Sequence, residues 1–527
     1  MRKHNSPLPL LLLLVLLAPP HAGCAEKASD WADAYEKAAQ ILRSGDIATA
    51  ERTFQSLWQA NPRDPKLANA IGAALNAAGK PDEAAPWYKR AIKLNPAFAP
   101  AYNNLGLNYA SRGMLEQATG PLRKACQLDP KNVRAFYNLG LVLIQRRRYV
   151  EAAGALERAH ELSPEMPDPL VRLAYADFRA GHAIQGRAAV DALLKLPGDR
   201  QARVLEAIKL LNSLRRYEDV LRLVRDSSTA AATPELHVHE AEALLGLSRY
   251  NEVVSLLEGR LPNNGPADGY LLLGSAQALQ GNLSAAVATL QTAVRLDPGS
   301  PDGYYRLGLV FLAGFREAEA QEAIDTGLQA VPNSTLLLNG LASVLDVRAK
   351  RPEAIQALER SVEIDPQQEE AWGQLGALYS QTSQAGKALA AYSRALRLGA
   401  SAESYSNFID YLIRLGRFDE AEKVAAEGLA KHPASGELHY EFGKLQRRRG
   451  NLVAAERALR QAVSLNLVDA SVHYLLAGVL QRLGKADEAA AEFKLTKEMK
   501  SEERQRKVLR TRLIPAAETR EDAFENR

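Results

Sequence analysis

Cysteine is almost absent: only Cys24 and Cys126 occur in 527 residues. With Cys24 in the leader region, Cys126 is left alone, which excludes an internal disulfide and leaves apolar stacking to hold the fold. There is no CxxC pair, no Gly-rich phosphate loop and no GxSxG elbow. His237-Val238-His239-Glu240 is the one metal-like cluster, and its histidines sit at i and i+2, on different sides of a helix. His160-Glu161 lacks a second histidine four residues on. Basic and acidic residues nearly balance, 66 against 62 for a formal charge of +4, which argues against a nucleic-acid specialist. Past the leader, no run of eighteen uninterrupted apolar residues occurs, so no later segment reads as membrane-spanning.

What the chain does have is a 34-residue period. Asn61-Pro62, Asn95-Pro96 and Asp129-Pro130 follow it, and Asp297-Pro298 and Asp365-Pro366 return in the same phase. In the unit from Pro65, Ala68, Ile71, Gly72 and Leu75 make one apolar helix face, and Ala84, Tyr88 and Ala91 make another. Ala78-Gly79-Lys80-Pro81-Asp82 ends the first helix and starts the second. Gly72, Gly106, Gly140, Gly274, Gly308, Gly376 and Gly443 share the eighth position, and Ala84, Ala118, Ala152 and Ala388 share the twentieth. Glycine inside a helix costs about 0.5–1 kcal/mol relative to alanine, so its recurrence predicts a close approach of two helices. Large residues at positions 4, 11 and 24 are expected to fill the gap to the neighbouring hairpin.

This pattern resembles the tetratricopeptide repeat: a large residue, then Leu-Gly, an aromatic, alanines flanking an aromatic, and a closing proline. Tyr102, Leu105, Gly106, Tyr109, Ala118, Leu122, Ala125 and Pro130 carry it, as do Trp372, Leu375, Gly376, Tyr379, Ala388, Tyr392 and Ala395. The resemblance covers about nine-tenths of the chain and implies an all-α, right-handed α-solenoid (superhelix) of about fourteen helix-turn-helix units. The expected layout is a leader over 1–25, an amino-terminal sub-array over 31–266, a carboxy-terminal sub-array over 267–503, and a charged terminal helix and tail over 504–527. Units from 167 to 266 are irregular: Ile208 and Glu242 replace the small residue, and Val220 and Val254 replace alanine. Asp226 to Pro234 and Asn263 to Pro266 are polar breaks, read either as divergent repeats in one stack or as a hinge.

The leader has Arg2 and Lys3, an apolar run from Leu8 to Ala18, and small residues to Ala25, the layout of a secretory signal peptide. Ala22-Gly23-Cys24 resembles the end of a bacterial lipobox, with His21 standing where an aliphatic residue is usual; cleavage after Ala25 or Ala22 is the other reading. The expected location is therefore outside the cytoplasm of a bacterium: the periplasm, or the outer membrane or cell surface as a lipoprotein held through Cys24.

The resemblance also implies that first helices line a concave groove. Asn69, Asn76, Asn103, Asn104, Arg134, Asn138, Gln145, Gln374 and Asn407 are its candidate partner contacts. Stacked amides both donate and accept, and can hold the backbone of an extended peptide. Protein O-linked N-acetylglucosamine transferases carry such an asparagine ladder in a similar array; here only fragments of one occur, with no transferase domain. Arg146 to Arg148, Arg215-Arg216, Arg348 to Arg351 and Arg447 to Arg449 read as cations at helix C-termini. The expectation is a non-enzymatic scaffold with no cofactor and no metal, binding other proteins or extended peptides, not nucleic acid, and meeting a membrane only through Cys24. Assembly of a surface or secretion structure is the expected role. The alternative is an accessory or substrate-recruiting arm of a glycosyltransferase or cell-wall enzyme.

Overall fold

The computed structural model describes residues 27–226, 233–262, 264–399, 401–465 and 470–499. The leader with Cys24 and the charged terminal segment 504–527 lie outside the described residues. Among the described residues there are 28 helices and no strand. The chain divides into two units, and the division falls within the polar stretch from Asp226 to Pro234.

The first unit, to Ala230, opens with α1 (Lys27–Arg43), α2 (Ile47–Ala60), α3 (Pro65–Ala77), α4 (Pro81–Leu94), α5 (Ala99–Ser111) and α6 (Leu115–Leu128). It continues with α7 (Val133–Gln145), α8 (Tyr149–Leu162), α9 (Pro167–Arg179), α10 (Ala183–Lys195), α11 (Arg200–Ser213) and α12 (Tyr217–Asp226). The second unit, from Ala231, starts with α13 (Pro234–Gly246), α14 (Tyr250–Leu257), α15 (Ala267–Leu279), α16 (Leu283–Leu296), α17 (Pro301–Ala313), α18 (Glu317–Ala330), α19 (Thr335–Val347) and α20 (Arg351–Ile364). It ends with α21 (Glu369–Gln381), α22 (Ala385–Arg397), α23 (Ala402–Arg414), α24 (Phe418–Lys431), α25 (Gly436–Arg448), α26 (Leu452–Ser464), α27 (Ala470–Arg482) and α28 (Ala486–Met499). Each odd helix packs on the even helix after it, and most odd helices also pack on the next odd one of the same unit. Each unit is thus a solenoid of helical hairpins.

The Asn-Pro and Asp-Pro dipeptides act at the ends of second helices. Asn95 and Asp129 cap α4 and α6, their backbone N–H groups donating to Ala91 and Ala125. Their side chains accept from the N–H two residues on, Ala97 at 2.9 Å and Lys131 at 3.3 Å. Proline between them cannot continue the helix, and the side-chain bond tightens the turn. Asp297 and Asp365 do the same for α16 and α20.

Inside each hairpin, position 8 meets position 24. A Cβ on Gly106 would lie 2.5 Å from Leu122 Cγ, one on Gly72 2.7 Å from the Tyr88 ring, and one on Gly376 2.7 Å from the Tyr392 ring. The side chain at position 24 thus covers the glycine of its own hairpin, and at Tyr392 it also reaches the next one, stacking on Phe408 of α23 with centroids 5.0 Å apart. Ala50, Ala84, Ala118, Ala152, Ala286, Ala320, Ala354, Ala388 and Ala455 are all fully buried. In the irregular region the bulk is redistributed. Ile208 and Val220 are both fully buried in the hairpin of α11 and α12, while Gly186 of α10 lies against the Phe178 ring.

Candidate functional site

The first helices α3, α5 and α7 share a row of amides at positions 5 and 6. Asn138 Nδ2 donates to Asn103 Oδ1 at 2.9 Å, and Asn104 Nδ2 donates to Asn69 Oδ1 at 3.0 Å. Asn103 Nδ2 joins the two rungs through Asn104 Oδ1 at 3.3 Å. Both long-range bonds span 35 residues, one more than the period, because position 6 of one hairpin faces position 5 of the hairpin before it. A second link lies one turn away: Asn108 Nδ2 donates to Asn76 Oδ1 and to the Pro81 carbonyl, each at 2.7 Å.

These amides serve the stack. Asn69, Asn103 and Asn104 are buried, with 2%, 2% and 5% of their surface exposed, so the expectation that they stand open in a groove is corrected. An amide buried between helices needs a partner, and the nearest donor or acceptor is the amide of the adjacent hairpin. Asn76 and Asn138 are half-buried in the same network, and Arg134 at the start of α7 is exposed. Gln145 is half-buried at the end of α7. The row continues with Tyr137, whose phenol burial pushes up while Arg172 of α9 pulls it back, again 35 residues along. Glu206 of α11 follows, its carboxyl raised by burial and by Asp168.

In the second unit the corresponding faces differ. Gln374 is half-buried and donates to Glu370 within its own helix at 3.0 Å, and Asn407 is exposed on α23. Arg414, Arg448 and Arg482 end α23, α25 and α27 at the same offset, 34 residues apart. Tyr440 and Tyr474 share another offset, Tyr474 being 61% exposed. Between them Lys444 Nζ reaches Asp410 Oδ1 of α23 at 2.5 Å and Glu441 of its own helix at 2.9 Å. Glu441 is buried, and burial pushes its carboxyl up to about 7 against the pull of Lys444.

Models of the tetratricopeptide repeat match residues 72–111, 107–146, 267–313 and 412–477. The chain carries tetratricopeptide repeats. The matched repeats include α5 to α7 of the amide row and α25 with most of α27 of the arginine row. No curated protein matches the chain significantly. Among solved structures, the chain is similar to one in the APC/C hetero-tetramer Cut9–Hcn1, at 14% identity over 92% of this chain and 96% of that one, with a TM-score of 0.37. A chain in the Naa15/Naa10 structure bound to HypK-THB shows 18% identity over 89% of this chain and 80% of that one, with a TM-score of 0.34. MamA shows 22% identity over 30% of this chain and 92% of its own, with a TM-score of 0.28.

The arginines at first-helix ends do more than meet a helix dipole. Arg112 pairs with Asp82, Arg146 with Glu116 and Arg449 with Asp419, each reaching back 30 residues to the second helix of the preceding repeat. Arg146 also donates to Thr119 Oγ1 at 2.8 Å. The sequence shows both partners but not their pairing, which needs the repeat stack. Cys126 is buried in α6, where burial pushes its thiol up to about 12, so it packs as a small apolar residue. His239 Nδ1 lies 3.3 Å from Glu242 one turn along α13. Among the described residues no group of three His, Cys, Asp or Glu side chains is placed to hold a metal.

Proposed function

We propose that this chain is an exported, non-enzymatic scaffold that holds an extended segment of a partner protein along the first-helix faces of its repeats. Tetratricopeptide repeats bind other proteins or peptides, and this general role is the one the repeats carry. The observation behind the finer reading is the row of exposed Arg414, Arg448 and Arg482, one per repeat, with Tyr474 exposed on the same helix as Arg482. Guanidinium groups pair with carboxylates in a fixed fork geometry, and a tyrosine adds apolar area with a polar tip. An acidic extended segment fits such a row. Arg134, Asn138, Gln145, Gln374 and Asn407 are further candidate contacts, while the buried amides position the helices that carry them.

Export and attachment belong to the same reading. The leader would direct the chain across a membrane, and acylation at Cys24 would hold it there for assembly of a surface or secretion structure. Intact mass of the mature protein tests this: a start at Glu26 or Gly23 removes the lipid anchor. For the binding face, partners captured on the immobilised full chain are rebound to Arg448→Ala, Arg482→Ala. Affinity should fall roughly ten-fold, as two charge-assisted contacts of about 0.5–1.5 kcal/mol or more are lost. Unchanged affinity would remove the arginine row from the interface.

A further inference from the structure

The outward face of α4 carries a cluster of exposed cations. Pro86, Lys89, Arg90 and Lys93 are exposed at i, i+3, i+4 and i+7, so they share one stripe. None of these three cations forms an ion pair with a described residue. On three other second helices a late cation is matched within its own helix: Arg158 with Glu161 at 2.7 Å, Lys431 with Glu427 at 2.8 Å, and Arg460 with Glu456 at 2.9 Å. Lys124 of α6, 34 residues after Arg90, extends the stripe to the next repeat and is also exposed and unpaired. The acids of α4, Asp82 and Glu83, lie at its other end, and Asp82 is held by Arg112.

Aromatic rings lie under these charges. Trp58 and Trp87 are half-buried and meet edge to face, with centroids 5.2 Å apart. Arg90 sits over the Trp58 ring at 5.1 Å and Lys89 over Tyr109 at 5.8 Å. Tryptophan beside lysine and arginine is the side-chain chemistry of a bilayer's headgroup layer, where an amphipathic ring and a cation on an apolar stem are both satisfied. A chain held through acylated Cys24, just ahead of α1, would have its first repeats nearest the membrane.

We propose that the outer face of α4, with Lys124 of α6, docks on an anionic lipid bilayer. Headgroup phosphates would pair with Lys89, Arg90, Lys93 and Lys124, with the exposed edge of Trp87 at the interfacial layer. The choice of lipid over an acidic protein rests partly on the export reading above. Vesicle binding itself does not require export, so the two can fail separately. The surface also lies on second helices, leaving the first-helix faces clear.

The test uses the chain from Glu26 to Arg527, which keeps every described helix, and sedimentation with vesicles of phosphatidylcholine alone or mixed with phosphatidylglycerol. Binding should require the anionic lipid and be lost at high salt. The triple change Lys89→Gln, Arg90→Gln, Lys93→Gln should weaken it at least ~10-fold, since each cation near an anionic surface contributes substantially. The charge-matched control Arg397→Gln, Lys494→Gln, Lys497→Gln in the second unit should bind within about two-fold of wild type if the effect is local and not a matter of net charge. Equal losses in the two triples, no vesicle binding, or tighter binding to an RNA oligonucleotide than to the anionic vesicles would each overturn the proposal.

Discussion

Asn104 donates to Asn69 and accepts from Asn103 while only 5% exposed. Its removal strands two buried amide groups, each costing about 1–3 kcal/mol. Asn104→Ala is therefore expected to lower the denaturant midpoint of the first unit clearly, while the exposed Asn407→Ala stays within about 0.5 kcal/mol of wild type. Equal midpoints would contradict the ladder. Its residues were legible in the sequence, with Asn104 and Asn138 at one offset in consecutive repeats, but their burial was not. The bonds run to position 5 of the previous hairpin, and that pairing exists only once two first helices are side by side. Glu441 gives a second residue-scale outcome. Burial raises its carboxyl from about 4.5 to about 7, so across that window the folded chain keeps a proton that the unfolded chain has lost. Stability of the second unit should then fall as pH rises through the window. Glu441→Gln should flatten that slope in pH-dependent melting, and an unchanged slope would mean that Lys444 offsets the burial and the Glu441 carboxyl is not raised.

The hairpin is the element whose making the sequence shows best. Glycine at position 8, alanine at position 20 and a large residue at position 24 are one contact seen from three places, as Gly106, Ala118 and Leu122 show. Gly106→Ala should destabilise the first unit by about 1–3 kcal/mol, because the new Cβ would lie 2.5 Å from Leu122 Cγ and the hairpin would have to open. Gly120→Ala, in α6 with nothing within 4 Å of the new Cβ, should be neutral or stabilise by up to about 1 kcal/mol. Thermal melts of the two variants check the register, and the reverse order would show that it is wrong. The hairpins of α11 to α14 were harder to read because Ile208 and Glu242 stand where glycine is usual and Val220 and Val254 where alanine is, so the spacing signal weakens while the helices persist. The ion pairs between repeats were hidden for another reason. Arg146 and Glu116 are far apart in sequence, and each alone looks like an ordinary helix-end charge.

At the scale of the whole molecule, each unit gains its stability from neighbouring hairpins, as expected of a repeat array. Glycine contacts close each hairpin, while buried amides and inter-repeat ion pairs join consecutive repeats, so within each unit the first helices are held side by side in an ordered row. That row is what a scaffold offers a partner: a surface fixed before binding, with less ordering to be done on contact. The most direct test is hydrogen–deuterium exchange on the full chain, alone and with a partner segment purified by capture on it. The account predicts added protection on first helices, foremost α25 and α27 around Arg448, Tyr474 and Arg482, with α26 and α28 unchanged. Protection confined to second helices, with the first-helix row exchanging as before, would contradict it.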